Sequence, residues 1–185
     1  MTKRVIIVHG WGGSPETDFL PWAKEELQKK GYDVTTPVMP ETDYPKMEKW
    51  VPHLAQVIGE PRETDILIGH SMGCQAILRF LAGLDEGRKV GKVILVAGFG
   101  PFLKGLTSKE QIVTQPWIDT LLDLDRVKDQ ANSFVAIFSD NDPFVPLEEN
   151  KKIFVEKLGA QVLVEHNKGH FNDMPQECPD LLKLF

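Results

Sequence analysis

The chain has 185 residues, of which 42% are hydrophobic, and it carries a net charge of −6. This length allows one α/β domain over residues 1–185 with a core of its own and leaves little room for a second. Acidic and basic residues are interspersed without a basic stripe, which argues against nucleic acid as a partner. The apolar run Val5–Val8 is too short for a signal peptide or a membrane span, so we expect a cytoplasmic protein with no membrane partner.

Short runs rich in Val and Ile alternate with longer stretches of helical spacing. Most of these runs lack apolar–polar alternation, which is typical of strands buried on both faces of a parallel sheet. The predicted strands are Val5–Val8, Asp33–Val38, Asp65–Ile68, Lys92–Ala97, Phe134–Ser139 and Gln161–Glu165. The predicted helices are Phe19–Lys30, Met47–Ile58 with a kink or late start at Pro52, Met72–Leu81, Pro116–Val127, Leu147–Leu158 and Pro179–Phe185. Right-handed crossovers would join them into a doubly wound parallel sheet of about six strands, with ligands beyond the carboxyl ends of the strands.

The turn after the first predicted strand, His9-Gly10-Trp11-Gly12-Gly13, is rich in glycine. Glycines let the backbone approach a substrate closely, so we expect Gly10 and Gly12 to line a pocket. The turn lacks both the G-x-G-x-x-G spacing and the G-K-[ST] ending of phosphate-binding loops, and we predict no cofactor.

The segment Gly69-His70-Ser71-Met72-Gly73 follows one predicted strand and opens the next predicted helix. This is the G-x-S-x-G nucleophile elbow in the strand–turn–helix context that it requires. The strained turn exposes a serine hydroxyl, and side chains at positions 69 and 73 would collide with the backbone. We predict Ser71 as the nucleophile and expect the side chain of His70 to point away from it.

Acyl transfer also needs N–H donors for the tetrahedral oxyanion. The first predicted donor is the backbone N–H of Met72, directly after the nucleophile. The second is expected in the first turn, from Trp11, with Gly12 as the alternative.

A segment from Phe99 to Trp117 separates the fourth predicted strand from the fourth predicted helix. Its position beyond a strand end suits a pocket wall or a small lid, although its apolar residues would also suit a core. On the first interpretation Phe99, Phe102 and Trp117 line the pocket, together with Phe171 near the C-terminus. Fewer than about twenty residues cannot form a large cap domain, so no large lid is expected.

A serine nucleophile needs a general base, and the base needs an acid that orients it. His170 follows Gly169 in a loop just past the last predicted strand, where we expect the base, with His166 as the rival. Asp142 follows the fifth predicted strand and is held extended by Pro143, so it is favoured as the acid over Asp140. The resulting chain order, Ser…Asp…His, is that of α/β-hydrolases.

Other sites are not predicted. The His, Cys and acidic residues lack the spacing of a metal site. Cys74 and Cys178 form no CxxC pair, and we expect two reduced thiols.

With these motifs the chain resembles the small serine hydrolases related to retinoblastoma-binding protein nine and the bacterial YdeN proteins. The resemblance covers nearly the whole chain, and the bacterial branch is the more similar. It rests on His9-Gly10, Met39-Pro40, Gly-His-Ser-Met-Gly at 69–73, Val-Ala-Gly-Phe at 96–99, Pro116-Trp117, Asp142-Pro143-Phe144-Val145-Pro146 and Gly169-His170-Phe171. It implies a compact α/β-hydrolase without a large lid, with Ser71, Asp142 and His170 as the triad. Binding of the retinoblastoma protein is not implied, because the sequence has no Leu-x-Cys-x-Glu element.

The function expected from these features is that of an esterase acting on small or short-chain acyl esters through an acyl-enzyme. The same triad also serves thioesterases, amidases and peptidases, which remain alternatives. A binding protein that keeps an unused triad is a further alternative, although no member of the triad is missing. A monomer is compatible with the sequence, which leaves the oligomeric state open.

Overall fold

Six parallel strands form one sheet in the computed structural model, which describes residues 3–172 and 177–185. The strands are β1 (Arg4–Val8), β2 (Asp33–Thr35), β3 (Ile66–His70), β4 (Lys92–Val96), β5 (Phe134–Ser139) and β6 (Gln161–Glu165), in the order β2-β1-β3-β4-β5-β6. The chain therefore builds the sheet outward in one direction from β1 and in the other from β3. The crevice between the ends of these two strands is where such sheets bind ligands. The predicted α/β-hydrolase fold with a six-stranded parallel sheet is confirmed.

Both faces of the sheet are covered by helices, and alternate strand residues enter two separate cores. Val5 and Ile7 pack into one core, whereas Ile6 and Val8 pack into the other. The first core is closed by α1 (Leu20–Lys29) and α7 (Pro179–Leu182), and the second by α2 (Met47–Ile58), α3 (Met72–Ala82), α4 (Ser108–Asp119), α5 (Leu124–Lys128) and α6 (Leu147–Leu158). Burial on both faces explains why the strands read as continuous apolar runs.

β2 is shorter than predicted, because it ends at Thr35 and not at Val38. Pro37 has no N–H to donate to a neighbouring strand, and the N–H of Met39 donates to the His9 ring instead. Val38 consequently points into solvent, with 66% of its surface exposed.

The predicted helix Pro116–Val127 is wrong, since the chain forms two helices around that position. α4 begins at Ser108, where the Thr107 side chain and Glu110 form a capping box, and Pro116 lies near its C-terminal end. α5 begins after Asp123, whose carboxylate accepts the Arg126 N–H. Likewise α2 runs through Pro52 and begins five residues before it, so the expected late start is wrong as well.

The two cysteines are buried free thiols in different cores, Cys74 in the core under α3 and Cys178 in the core under α1. The sheet lies between them, so they cannot pair without a large rearrangement. Within the described part of the chain, no helix has the length and apolar character needed to cross a membrane.

Candidate active site

Ser71 lies at the junction of β3 and α3 in a backbone conformation that is rare outside glycine, with φ of 49° and ψ of −115°. Its N–H donates to the Val96 carbonyl at 2.9 Å, which ties the turn to β4. A Cβ at Gly69 would lie 2.7 Å from the backbone nitrogen of Cys74, and one at Gly73 would overlap the Val8 carbonyl oxygen. Only glycines at these two positions allow the tight turn that presents the Ser71 hydroxyl beyond the sheet.

Ser71, His170 and Asp142 are connected by hydrogen bonds in that order. His170 Nε2 lies 2.8 Å from Ser71 Oγ, and His170 Nδ1 lies 2.8 Å from Asp142 Oδ2. A carboxylate can only accept, so Nδ1 carries the proton and Nε2 is free to accept the serine proton. The second carboxylate oxygen, Oδ1, accepts the N–H groups of Phe144 at 2.8 Å and Val145 at 3.0 Å. Asp142 is thereby fixed from both sides and can orient the imidazole.

The rival acid and the rival base, Asp140 and His166, contact each other. His166 Nδ1 lies 2.6 Å from Asp140 Oδ2, and 81% of the His166 side chain is exposed. The backbone N–H of Asn167 and the His166 ring together hold the pKa of the Asp140 carboxyl below its usual range. Neither residue lines the cavity at Ser71.

The loop that carries His170, residues 166–172, is fastened to the end of β5. Three consecutive side chains accept three consecutive N–H groups of this loop: Asp140 from Asn167 at 2.9 Å, Ser139 from Lys168 at 3.0 Å and Asn141 from Gly169 at 2.8 Å. The next backbone group, the His170 carbonyl, accepts from His70 Nε2 at 2.8 Å. The position of His170 is therefore set by its backbone as well as by Asp142.

The N–H groups of Trp11 and Met72 have no acceptor among residues 3–172 and 177–185, and both residues line the cavity at Ser71. Met72 opens α3, whose first N–H groups lack intrahelical partners and carry the positive end of the helix dipole. The N–H of Gly12, in contrast, donates to the Thr42 carbonyl at 2.9 Å. The Gly12 N–H is thus engaged elsewhere, so of the two predicted candidates for the second donor it is Trp11 whose N–H has no acceptor in the described residues.

His9 shapes the turn that presents the Trp11 N–H. The Met39 N–H donates to its Nε2 at 3.1 Å, so the Nδ1–H donates to the Gly10 carbonyl at 2.7 Å. Burial lowers the pKa of His9, against the smaller effect of the Gly10 hydrogen bond, and this favours the neutral ring. The Trp11 side chain is held by its own indole N–H, which donates to the Asp43 carbonyl at 2.9 Å.

A cavity of about 330 Å³ opens over Ser71 and His170. Of the predicted pocket residues, Gly10, Gly12 and Phe99 line it, whereas Phe102, Trp117 and Phe171 do not. Phe102 is 45% exposed, and Trp117 is buried, with its indole N–H donating to the Pro45 carbonyl at 3.0 Å. Phe171 packs into the core under α1.

The segment Phe99–Trp117, predicted as a pocket wall or a core, supplies Phe99, Leu103 and Leu106 to this cavity. The lining residues that sequence reasoning did not single out are Glu110, Thr114, Phe144 and Asn172. The Thr107-x-x-Glu110 capping box was the available signal, because it predicts the start of the helix that carries Glu110 and Thr114. Phe144 stands two residues after Asp142 and packs edge-on to the His170 ring, with 5.2 Å between ring centres.

A second, larger cavity lies away from the candidate active site. Its volume is about 640 Å³, and it is lined by the first residues of β5 and β6, at the opposite edge of the sheet from Ser71. In the residues that the structure describes, no group of three or more His, Cys, Asp or Glu side chains is arranged to bind a metal ion.

Comparison with known proteins shows the family of this chain. The sequence model of the family described as "Serine hydrolase" matches residues 5–176. The chain belongs to this family. It is 32% identical to YdeN of Bacillus subtilis (strain 168), a hydrolase by name, over 171 residues that cover 92% of this chain and 87% of YdeN. The resemblance seen in the sequence motifs is confirmed.

Solved structures place this serine hydrolase in the same fold. The crystal structure of the B. subtilis ydeN gene product matches with a TM-score of 0.89 and 28% identity, covering 99% of this chain and 96% of that one. A structure reported for carboxylesterases of Nitrososphaera gargenis matches with a TM-score of 0.73 and 13% identity, covering 100% and 89% of the two chains. At that identity the second match speaks for the fold alone.

Proposed function

We propose that this serine hydrolase is a carboxylesterase that acts on small or short-chain acyl esters, with Ser71, His170 and Asp142 as its triad. The observation that carries the proposal is the continuous chain of hydrogen bonds from Asp142 through His170 to Ser71, with both contacts at 2.8 Å. This is the arrangement that turns a weakly nucleophilic hydroxyl into an attacking group.

In the proposed reaction, Ser71 Oγ attacks the ester carbonyl while His170 Nε2 takes its proton. Asp142 stabilises the resulting imidazolium, and the N–H groups of Trp11 and Met72 donate to the oxyanion. The imidazolium then protonates the leaving alcohol, and an acyl-enzyme remains on Ser71. A water molecule, deprotonated by His170, attacks the acyl-enzyme and releases the acid.

The size and lining of the cavity support small substrates. Its volume of about 330 Å³ is at the lower end of the roughly 300–1,000 Å³ typical of ligand sites. Phe99, Leu103, Leu106 and Phe144 give it apolar walls that suit an acyl chain or a small alcohol group. Thioesters and amides would meet the same groups, so a substrate panel has to include them.

The triad is tested first with a fluorophosphonate probe and intact-mass measurement, which needs no knowledge of the substrate. We expect one adduct on the wild type and none on Ser71→Ala. Ser133→Ala, at an exposed serine just before β5, is the matched control and should be labelled like the wild type. A wild type that resists the probe and leaves short-chain esters intact would instead be a binding protein on a hydrolase fold.

The substrate class is tested with p-nitrophenyl esters of increasing chain length, alongside a thioester and an anilide. We expect kcat/KM to be highest for short acyl chains. Phe99 lines the cavity at Ser71 and also a neighbouring cavity of about 310 Å³. Phe99→Ala should therefore shift the preference toward longer chains, whereas Phe102→Ala, at an exposed phenylalanine that lines neither cavity, should not. A wild-type rate that rises steadily with chain length would contradict the short-chain assignment.

A further inference from the structure

His70 directly precedes the nucleophile, yet its ring contacts the backbone of the base. The ring is 2% exposed, and its Nε2 lies 2.8 Å from the carbonyl oxygen of His170. A carbonyl oxygen can only accept, so Nε2 carries a proton and donates it. The two imidazole rings lie near each other, with 5.3 Å between their centres.

The opposite edge of the His70 ring faces a carboxylate. Nδ1 lies 3.2 Å from Asp18 Oδ2. Burial opposes ionisation of Asp18, but the hydrogen bonding and charge of His70 outweigh it and lower the pKa of this carboxyl.

Through these contacts His70, which directly precedes Ser71, links the loop that carries His170 to the segment that carries Asp18. Asp18 belongs to the connection between β1 and α1, which also carries Gly10 and Trp11. That connection comes close to the ring, since a Cβ on Gly10 would lie 3.3 Å from His70 Nδ1. Phe19 closes another side, edge-on to the ring with 5.5 Å between ring centres. The ring is therefore enclosed, and its donor toward the His170 carbonyl has a fixed direction.

We propose that His70 is a positioning residue for the reaction: by holding the carbonyl of His170 it keeps His170 Nε2 within hydrogen-bond distance of Ser71 Oγ. This inference rests on the proposed function. Asp142 fixes the His170 ring at Nδ1, and His70 fixes the backbone from which that ring projects. Because a misplacement of about 1 Å can lower a catalytic rate about 100-fold, the backbone contact should affect kcat.

The test compares His70→Gln with His70→Met, two side chains of similar length. The Gln amide nitrogen reaches the place of Nε2 and donates to the His170 carbonyl, whereas Met has no donor there. We expect kcat for a short-chain ester to fall about 10- to 100-fold in His70→Met, with KM within about threefold. His70→Gln should keep kcat within about threefold of the wild type. Labelling by the fluorophosphonate probe should slow in parallel with kcat.

His70→Asn is a second donor-less control, because its amide is one methylene too short to reach the carbonyl. It keeps the comparison valid if His70→Met does not fold, as judged from its melting temperature. The proposed role of His70 would be overturned if His70→Gln, His70→Met and His70→Asn lost kcat equally, or if no folded variant lost any. Failure of the proposed function is a separate result, because it appears as a wild type that neither reacts with the probe nor hydrolyses an ester.

Discussion

Two aspartate–histidine pairs stand side by side beyond the ends of β5 and β6, Asp140 with His166 and Asp142 with His170. The shorter contact belongs to the outer pair, at 2.6 Å against 2.8 Å. In the outer pair 81% of the histidine side chain is exposed, against 11% in the inner pair. Only the inner histidine contacts a serine hydroxyl, and its carboxylate also accepts two backbone N–H groups. If the inner pair is the catalytic one, as we propose, the length of the contact between an acid and a histidine is a poorer guide to catalysis than burial and contact with a reacting group.

The sharpest test of this comparison removes each histidine in turn. His170→Ala should lower kcat for a short-chain ester by about 10⁵-fold or more, since loss of the general base in a serine triad has effects of this size. His166→Ala should stay within about threefold of the wild type, because the ring is mostly in solvent. Steady-state kinetics on both purified variants measures the contrast. A large loss in His166→Ala would mean that the outer pair supports the position of the base loop.

Replacing each aspartate by asparagine should give a smaller difference in kcat between the two pairs than removing the histidines. Asp142→Asn should lower kcat by about 10⁴-fold, because the amide favours the wrong imidazole tautomer and cannot stabilise the imidazolium. Asp140→Asn keeps an oxygen that can accept the Asn167 N–H, and its kcat should change by less than about threefold. The same ester assay measures both variants, with melting temperatures as a check on folding. Equal losses of kcat in the two variants would show that the different surroundings of Asp142 and Asp140 do not give them different roles in the reaction.

Sequence reasoning reached the arrangement of Ser71, Asp142 and His170 because each follows a strand that pattern and composition identify. Parallel strands bring their carboxyl ends to one edge, so residues far apart in sequence are expected to meet there. The same reasoning placed Asp140 and His166 as rivals, since pattern alone does not say which of two neighbouring side chains points inward.

The wall of the cavity was harder to predict. Phe99 and Trp117 are both aromatic and both nearly fully buried, yet only Phe99 lines the cavity at Ser71. Hydrophobicity does not distinguish a pocket wall from a core, because each is apolar and each is packed. The start of α4 was missed although Thr107 and Glu110 carried a capping signal, because Pro116 had been interpreted as a helix start. The contact between His70 and the His170 carbonyl joins residues 100 positions apart and has no local signal.

The smallest effect that we expect is on stability, and it concerns the outer pair, for which we propose no role in the reaction. The backbone N–H of Asn167, and then the His166 ring, lower the pKa of Asp140 in the folded protein. A carboxyl whose folded pKa is depressed stabilises the fold fully above its unfolded pKa of about 3.9, and this stabilisation is lost as pH falls through the folded pKa. Asp140→Asn cannot ionise and lacks this contribution.

The melting temperatures of the wild type and Asp140→Asn should therefore differ most above the unfolded pKa of the carboxyl and converge as the pH falls through its lowered folded pKa. Added salt should reduce the difference only in part, because it screens the interaction between exposed charges more than the hydrogen bond from the Asn167 N–H. Thermal unfolding followed by circular dichroism between pH 2.5 and 7 gives both curves. A difference that persists unchanged at the lowest pH would mean that the Asp140 side chain stabilises the base loop by shape and hydrogen bonding, independently of its charge. The outer pair would then help to hold the loop that carries His170. The two pairs would differ less in function than the exposure of His166 indicates.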